Sequence, residues 1–342
     1  MNCLSDPVAT FDSLLAGPSP LLALAPMQDV TDLPFWRLLA RYGGPDVYWT
    51  EYSRVHGTSS IERSVVEAIE KNPTGRPAIA QLIGNDPVAM ARAARELDRM
   101  PIAAVDLNLG CPAPVVYRKC AGGGLLREPR RIDVLLGTLR EAVTRVRFTV
   151  KTRLGFGDAA AEWEPLLEVF RRHPIDLLTV HGRTVVDMYR TEVRYDLIAR
   201  AVEAMPCPVI ANGNIWSPER ASEVMGRTGA RGLMIGRGCI RNPWLFEQIR
   251  AHQAGRMPVH PSGREVLAYV QALYEETIPV AEFRERLQVE KMKKYMNFIG
   301  EGVGRPAEFL HAIRRVEDRA SFFAVCREHL DHGEPMPLVP RG

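Results

Sequence analysis

The 342-residue sequence has little excess charge: 44 Lys and Arg against 41 Asp and Glu give a formal net charge of +3. A global basic excess of the kind that announces nucleic-acid binding is absent, so any polyanion contact must come from local clustering. Cysteine is sparse. Six thiols, at positions 3, 111, 120, 207, 239 and 326, include no C-x-x-C pair and no His/Cys spacing of the zinc type. That argues against a disulfide frame and a structural zinc site, and the pattern is the one expected of reduced thiols in a cytoplasmic protein. No apolar run approaches the roughly 20 residues of a membrane span. The opening "MNCLSDPVATFDSLLAGPSP" lacks the basic-then-apolar layout of a signal peptide. Also missing are a G-x-G-x-x-G after the first strand-like run and any P-loop, which weakens the case for an open doubly wound sheet.

What is present is a 46% hydrophobic share, enough for a large domain and a small one. Short apolar, β-branched runs recur at 21–26, 46–51, 77–84, 103–110, 147–153, 175–182, 207–213 and 232–238. Helical stretches separate most of them, as at 86–100, 128–146 and 217–229. The first and last of these open with Asp-Pro and Ser-Pro, an N-cap followed by a first-turn proline. Eight strand-helix units in about 250 residues predict an α/β fold, a closed (β/α)8 TIM barrel. After "RMPVHPSG" (256–263) no strand-like run follows, only apolar residues at three- and four-residue spacing. The expected division is a barrel over 1–257 and a small all-helical domain over 258–342.

In such a barrel, chemistry belongs to the C-terminal ends of the strands, where side chains alternate inward and outward. On the fourth strand Val105 and Leu107 share the face toward the helices, which aims Asp106 and Asn108 into the mouth. Gln81, then Lys151 and Arg153, then Thr179 and His181, then Asn212 end the third, fifth, sixth and seventh strands. Five consecutive strands with polar residues at one end look like a lined pocket. "ANGNI" (211–215) and "IGRG" (235–238) put glycines after strands seven and eight, the usual phosphate position of this fold, with Arg237 adding charge. A phosphate grip, a lysine, a histidine and an amide pair suit a phosphorylated planar cofactor such as FMN. Taken singly, His181 or Lys151 could equally be a strand-end residue bound to backbone.

Within "DLNLGCPAP" (106–114), Cys111 is either a small filler at a turn or a thiol presented at a strand end. A free thiol, with a pKa of about 8.5, is mostly protonated near neutrality and can act as a general acid.

Taken together, "APMQDVTD" (25–32), "LNLGCPAPVV" (107–116), "VKTRLGF" (150–156), "VHGRT" (180–184), "VIANGNI" (209–215) and "LMIGRG" (233–238) resemble the bacterial, FMN-dependent tRNA-dihydrouridine synthases in order and spacing. The resemblance runs from residue 21 to about 320. It implies an FMN enzyme that uses NADPH to reduce the C5–C6 double bond of particular D-loop uridines in tRNA. Hydride would pass from flavin N5 to C6 and a proton from Cys111 to C5. Ala25, Pro26 and Met27 would lie along the flavin, and Gln81, Lys151 and His181 would hold its rings. Asn212, Gly213, Asn214, Gly236 and Arg237 would surround the ribityl phosphate. Asn108 would contact the target base and Arg153 would be a second RNA contact. The sequence departs from the family at "YRKCAGGGLL" (117–126), where Tyr117 stands for an expected Asn and Cys120 for a small or apolar residue.

The helical tail is not basic overall, with 12 Lys and Arg against 13 Asp and Glu from 258 onward, but "RERLQVEKMKKY" (284–295) carries five basic and two acidic residues. Alone, such a run is a solvated helix face. The resemblance instead makes Lys291, Lys293 and Lys294 part of a tRNA-binding surface, with Tyr295 beside them for stacking and affinity that falls steeply with salt. The partner implied is tRNA; no membrane and no obligate protein partner is expected, and the chain should act as a monomer. Two other readings stay open: a flavin barrel acting on a small pyrimidine, as dihydroorotate dehydrogenases do, and a flavin-free RNA-binding module.

Overall fold

The computed structural model describes residues 6–277 and 285–340. Eight parallel strands close into a barrel in chain order: β1 (Leu21–Leu24), β2 (Val47–Arg54), β3 (Ala78–Ile83), β4 (Ala104–Leu109), β5 (Arg147–Arg153), β6 (Leu177–His181), β7 (Val209–Asn212) and β8 (Gly232–Ile235). β1 pairs with β8 to complete the ring, with Leu21 opposite Gly232. A Cβ at Gly232 would come within 2.1 Å of the Leu21 carbonyl oxygen, so only glycine permits this closure. The expected barrel is what forms; seven strands lie within their apolar runs, and β2 continues past its run at 46–51 to Arg54.

The helices start where the sequence signals them. Asp86 accepts hydrogen bonds from Val88 and Ala89 N–H ahead of the helix Pro87–Leu97, and Ser217 Oγ accepts one from Arg220 N–H ahead of Pro218–Thr228. A helix that precedes the first strand, Pro7–Ala16, was not anticipated. Its Phe11 is fully buried among Leu21, Val47, Ile79, Ala103 and Leu177, residues at the starts of their strands. Asp12 pairs with Arg147 at 2.5 Å, and Arg231 donates to the carbonyls of Leu14, Leu15, Gly17 and Ser19. The helix thus covers the N-terminal end of the barrel and leaves the other end for chemistry.

The chain divides into two compact units. The first holds all eight strands. The second takes Pro34–Gly44, Ile215–Ser222 and the described residues from Gly236 onward. Residue 257, where the change of texture suggested a boundary, lies inside this second unit. Packing explains the early members: Phe35 stacks on Tyr295 at 6.1 Å, while Tyr42 meets Trp244 and Tyr269 edge-on at 4.8 and 5.6 Å. Arg37 and Arg41 both pair with Glu276. Around them lie the helices Leu245–Gln253, Gly263–Glu276, Glu285–Ile299, Pro306–Ile313 and Arg319–Leu330. Ser262 and Glu265 form a capping box that starts the second of these. Among the described residues, no helix is long and apolar enough to cross a membrane.

Candidate active site

Alternation along the strands turns Asp106 and Asn108 of β4, Gln81 of β3, Thr149 and Lys151 of β5, Thr179 and His181 of β6 and Asn212 of β7 into the barrel. Their hydrogen bonds run from strand to strand. Gln81 Nε2 donates to Asp106 Oδ2 at 2.7 Å, Thr149 Oγ1 to Asp106 Oδ1 at 2.5 Å, and Asn108 Nδ2 to Gln81 Oε1 at 2.8 Å. One layer nearer the rim, Lys151 Nζ donates to Asn212 Oδ1 at 3.3 Å, and Asn212 Nδ2 donates to the Met234 carbonyl at 2.7 Å. Six residues expected in the pocket, Gln81, Asn108, Cys111, Lys151, His181 and Asn212, therefore line one mouth.

Burial sets the electrostatics. It pulls Lys151 from 10.5 down to about 8; Arg153 pushes the same way, while Asp106 resists. Burial also raises Asp106 to about 6, against the hydrogen bonds of Thr149 and Gln81 and the charge of Lys151. Both groups are brought to the edge of titration near neutral pH, a hallmark of reactive sites.

Cys111 sits in a turn that Asn108 holds. Asn108 Oδ1 accepts hydrogen bonds from Gly110 N–H and Cys111 N–H, both at 2.9 Å. The Asn108 side chain thus fixes the approach to Cys111 besides facing the pocket. Arg153, expected as an RNA contact, has a different task here. It is only 2% exposed; its Nε donates to the Gly110 carbonyl at 2.9 Å and its Nη1 to the carbonyls of Thr184 and Met188, each at 2.8 Å. It ties the turn before Cys111 to the loop after β6, where Tyr189 lies under its guanidinium and edge-on to His181. The thiol itself is partly exposed. Of the two departures, Tyr117 packs edge-on against Phe156 at 5.6 Å, and Cys120 has a left-handed backbone with φ 51°.

The loop after β1 is a tight turn: Met27 N–H donates to Thr31 Oγ1, and Val30 and Thr31 N–H donate to the Met27 carbonyl. Ala25 N–H donates to the Ile235 carbonyl at 2.8 Å. Sequence reasoning missed the residue that braces this turn. Glu51, on β2, accepts a hydrogen bond from Val30 N–H at 3.0 Å. Burial first, then Asp32 and Asp29, raise it to about 7 against the backbone N–H groups of Val30 and Asp29. A polar residue ending "DVYWTE" was the available signal.

After β7, Gly213 adopts φ 130°, and a Cβ there would stand 3.0 Å from Val193 and 3.7 Å from His181 Nε2. Tyr195 Oη donates to the Gly213 carbonyl at 2.8 Å, and Arg183 Nη1 to Asn214 Oδ1 at 3.3 Å. Gly236 and Arg237 belong to the second unit, where Gly236 precedes the short helix Arg237–Arg241 and its carbonyl accepts the Cys239 N–H. The lysines lie there too, on Glu285–Ile299. Lys294 is exposed, Lys291 half-buried, and Lys293 pairs with Glu290 at 2.7 Å. Tyr295, expected beside them as a stacking surface, is instead wholly buried on the opposite stripe with Met292, Met296 and Ile299. Three- and four-residue spacing put it on the core face.

The opposite end of the barrel has an open cavity of about 410 Å³, lined by Pro18, Pro20, Cys207, Pro208 and Arg231 among others. Its thiol, Cys207, is pushed up to about 12, chiefly by burial, so little of it is thiolate near neutral pH. The chemistry belongs to the mouth.

A closed parallel barrel whose C-terminal rim gathers a depressed lysine, a histidine, convergent amides and a thiol is an enzyme of the (β/α)8 class. The family model described as "Dihydrouridine synthase" matches residues 23–332. A protein of Rickettsia prowazekii named probable tRNA-dihydrouridine synthase is 31% identical over 300 residues, 86% of this chain and 90% of that one. The tRNA-dihydrouridine synthase B of Vibrio vulnificus is 35% identical over 259 residues, 74% and 80% of the two chains. Among solved structures, histamine dehydrogenase from Rhizobium sp. 4-9 superposes with a TM-score of 0.55 at 13% identity, covering 95% of this chain and 65% of that one, a likeness of fold alone. The chain belongs to the dihydrouridine synthase family and is, by family, a flavin-dependent oxidoreductase.

The mouth fits a flavin. Thr179 Oγ1 is buried without a hydrogen-bond partner among the described residues, inside the barrel beside Lys151 in the pairing of β5 with β6. Amides, an ammonium and a hydroxyl are the groups a ring edged with carbonyls and N–H would meet, and no cluster of metal-ligating side chains occurs among the described residues.

Proposed function

We propose that the protein is a tRNA-dihydrouridine synthase that holds FMN, takes its electrons from NADPH, and reduces the C5–C6 double bond of D-loop uridines in the tRNA of the cytoplasm. The observation that supports this most is the turn at Cys111, fixed by Asn108 from one side and Arg153 from the other at the rim of a barrel that fits a flavin. Bound in this mouth, FMN would supply the hydride that uracil C6 receives. Everything else is the work of this chain. Gln81, Lys151 and His181 would hold the rings, Ala25, Pro26 and Met27 would lie along them, and Asn212, Gly213 and Asn214 would take the phosphate. Lys151 supplies positive charge where negative charge develops. Cys111 gives its proton to C5, and the turn holding it converts that transfer into a positioned step. Asn108 meets the base through its remaining amide hydrogen; Arg153 acts by keeping the Cys111 turn and the loop after β6 together. The uridine must leave its stack to reach this depth. Lys291, Lys293 and Lys294 contribute to holding the tRNA.

Nucleoside analysis of tRNA incubated with the flavin-loaded protein and NADPH tests the reading. Dihydrouridine should form, and Cys111→Ala should slow it by about 10²-fold or more. Full activity of the variant, or turnover of free uracil derivatives but not of tRNA, would overturn it. Binding of tRNA should weaken steeply between low and moderate salt, and less steeply in Lys291→Ala/Lys294→Ala.

A further inference from the structure

Tyr52 stands at the mouth without a part in this scheme. Parity along β2 would aim Trp49, Glu51 and Ser53 inward. The pairing with β3 shows otherwise: Trp49 lies opposite Ile79 but Tyr52 opposite Gln81, so β2 carries one extra residue between them. This bulge turns the strand over, as an extra residue must in a structure of period two. Tyr52 and Arg54 then share the inward face with Gln81 and Ile83, while Ser53 Oγ turns away to accept the Glu62 N–H at 2.9 Å. Tyr52 is 7% exposed and packs with Ile83 and Val116, and Cys111, Ala113 and Ala121 lie against the same cluster.

The phenol has two polar neighbours: the Arg54 guanidinium carbon stands 5.6 Å from the ring centre, and Cys111 lies against the same cluster. A guanidinium can only donate. Of the two neighbours, therefore, only the sulfur can accept the phenol proton. Burial raises Tyr52 above its ordinary value of 10; Arg54 opposes and Cys111 reinforces this, so the group is a proton-bearing donor throughout the neutral range.

We propose that Tyr52 is the positioning residue of Cys111: its hydroxyl, anchored by Arg54, donates to Sγ, aims the thiol, and stabilises the thiolate left when the proton has gone. In that step the S–H bond breaks, the new C–H bond forms at C5, and the sulfur keeps the electron pair. Water then returns a proton to the thiolate. The inference rests on the reading of Cys111 as proton donor.

Alkylation of Cys111 by iodoacetamide, followed against pH by peptide mass spectrometry, tests it without relying on turnover. Tyr52→Phe keeps the ring and its packing. It should slow alkylation about tenfold near neutral pH and move the midpoint of the profile upward, the rate at the alkaline plateau being unchanged. In turnover it should lower kcat while leaving KM for tRNA as it was. A profile with the same midpoint as the parent, or one altered only in its plateau, would overturn the inference. The two readings fail separately: unimpaired dihydrouridine formation by Cys111→Ala would defeat the role of the thiol, while the alkylation profile would still report whether Tyr52 governs it.

Discussion

The two ends of the barrel are made of the same strands and treat their charges in opposite ways. At the N-terminal end, polar groups are matched to backbone. Burial raises Asp98, but N–H groups of Arg145, Val146 and Thr144 pull it back further, and its pKa ends below the ordinary value. Asp176 accepts the Phe148 N–H at 2.7 Å, Asp46 accepts the Leu22 N–H at 2.8 Å, and Arg231 is surrounded by four carbonyls. At the C-terminal end, burial prevails: Asp106 rises to about 6, Glu51 to about 7, and Lys151 falls to about 8. The difference teaches where a fold puts its stability and where its reactivity. A carboxylate served by several fixed dipoles stays charged and holds strands in register, whereas one buried with few partners is poised to exchange a proton.

Five substitutions, at four residues, would break or sharpen that contrast. Phe11→Ala empties the plug of the N-terminal end and should remove about 3–5 kcal/mol of stability, read as a lowered denaturant midpoint, with catalysis at low temperature unchanged. A large loss of kcat at full folding would show that the ends are not separable. Next, Lys151→Met should cut kcat by about 10²-fold at pH 7 with little change in stability. In the parent enzyme the depressed lysine loses its charge as pH rises through about 8, so activity should decline there. Lys151→Arg, which stays charged, should abolish this alkaline decline. Asp106→Asn removes a carboxylate that favours the ammonium, so the decline should move to lower pH. The smallest effect belongs to Glu51→Gln. The folded carboxyl titrates at about 7 against an ordinary 4.5, so the stability tied to its proton is complete below about 4.5 and is lost as pH rises through about 7. Glutamine has no proton to lose, so the Tm of the variant should gain on the parent between pH 5 and 8.

The barrel itself could be read from the chain because its signal is local and repeated eight times. Apolar runs of strand length, separated by capped helices, admit few other arrangements. Gln81, Asn108, Lys151, His181 and Asn212 were legible for the same reason, since alternation on a strand between fixed ends decides which residues face inward. Tyr52 was not. One inserted residue in β2 reverses parity, and nothing in "VYWTEYSR" marks where the insertion falls. Arg153 was on the correct face, but whether its guanidinium reaches outward or folds onto the Gly110, Thr184 and Met188 carbonyls depends on loops far apart in sequence. The same holds for residues 34–44, which follow the first strand yet pack with Tyr295, Trp244 and Tyr269 in the second unit.

By itself, then, the sequence determined the number and order of the strands, the end of the barrel that carries polar side chains, and the cysteine that follows the fourth strand. These depend on periodicity and on short-range turn chemistry, which a few neighbouring residues settle. Only the tertiary structure decided which phenol meets that cysteine, which arginine braces its turn, and how far burial displaces Lys151, Asp106 and Glu51 toward neutrality. Each of those depends on register between strands and on exclusion of water, quantities that exist only once distant segments have closed on one another.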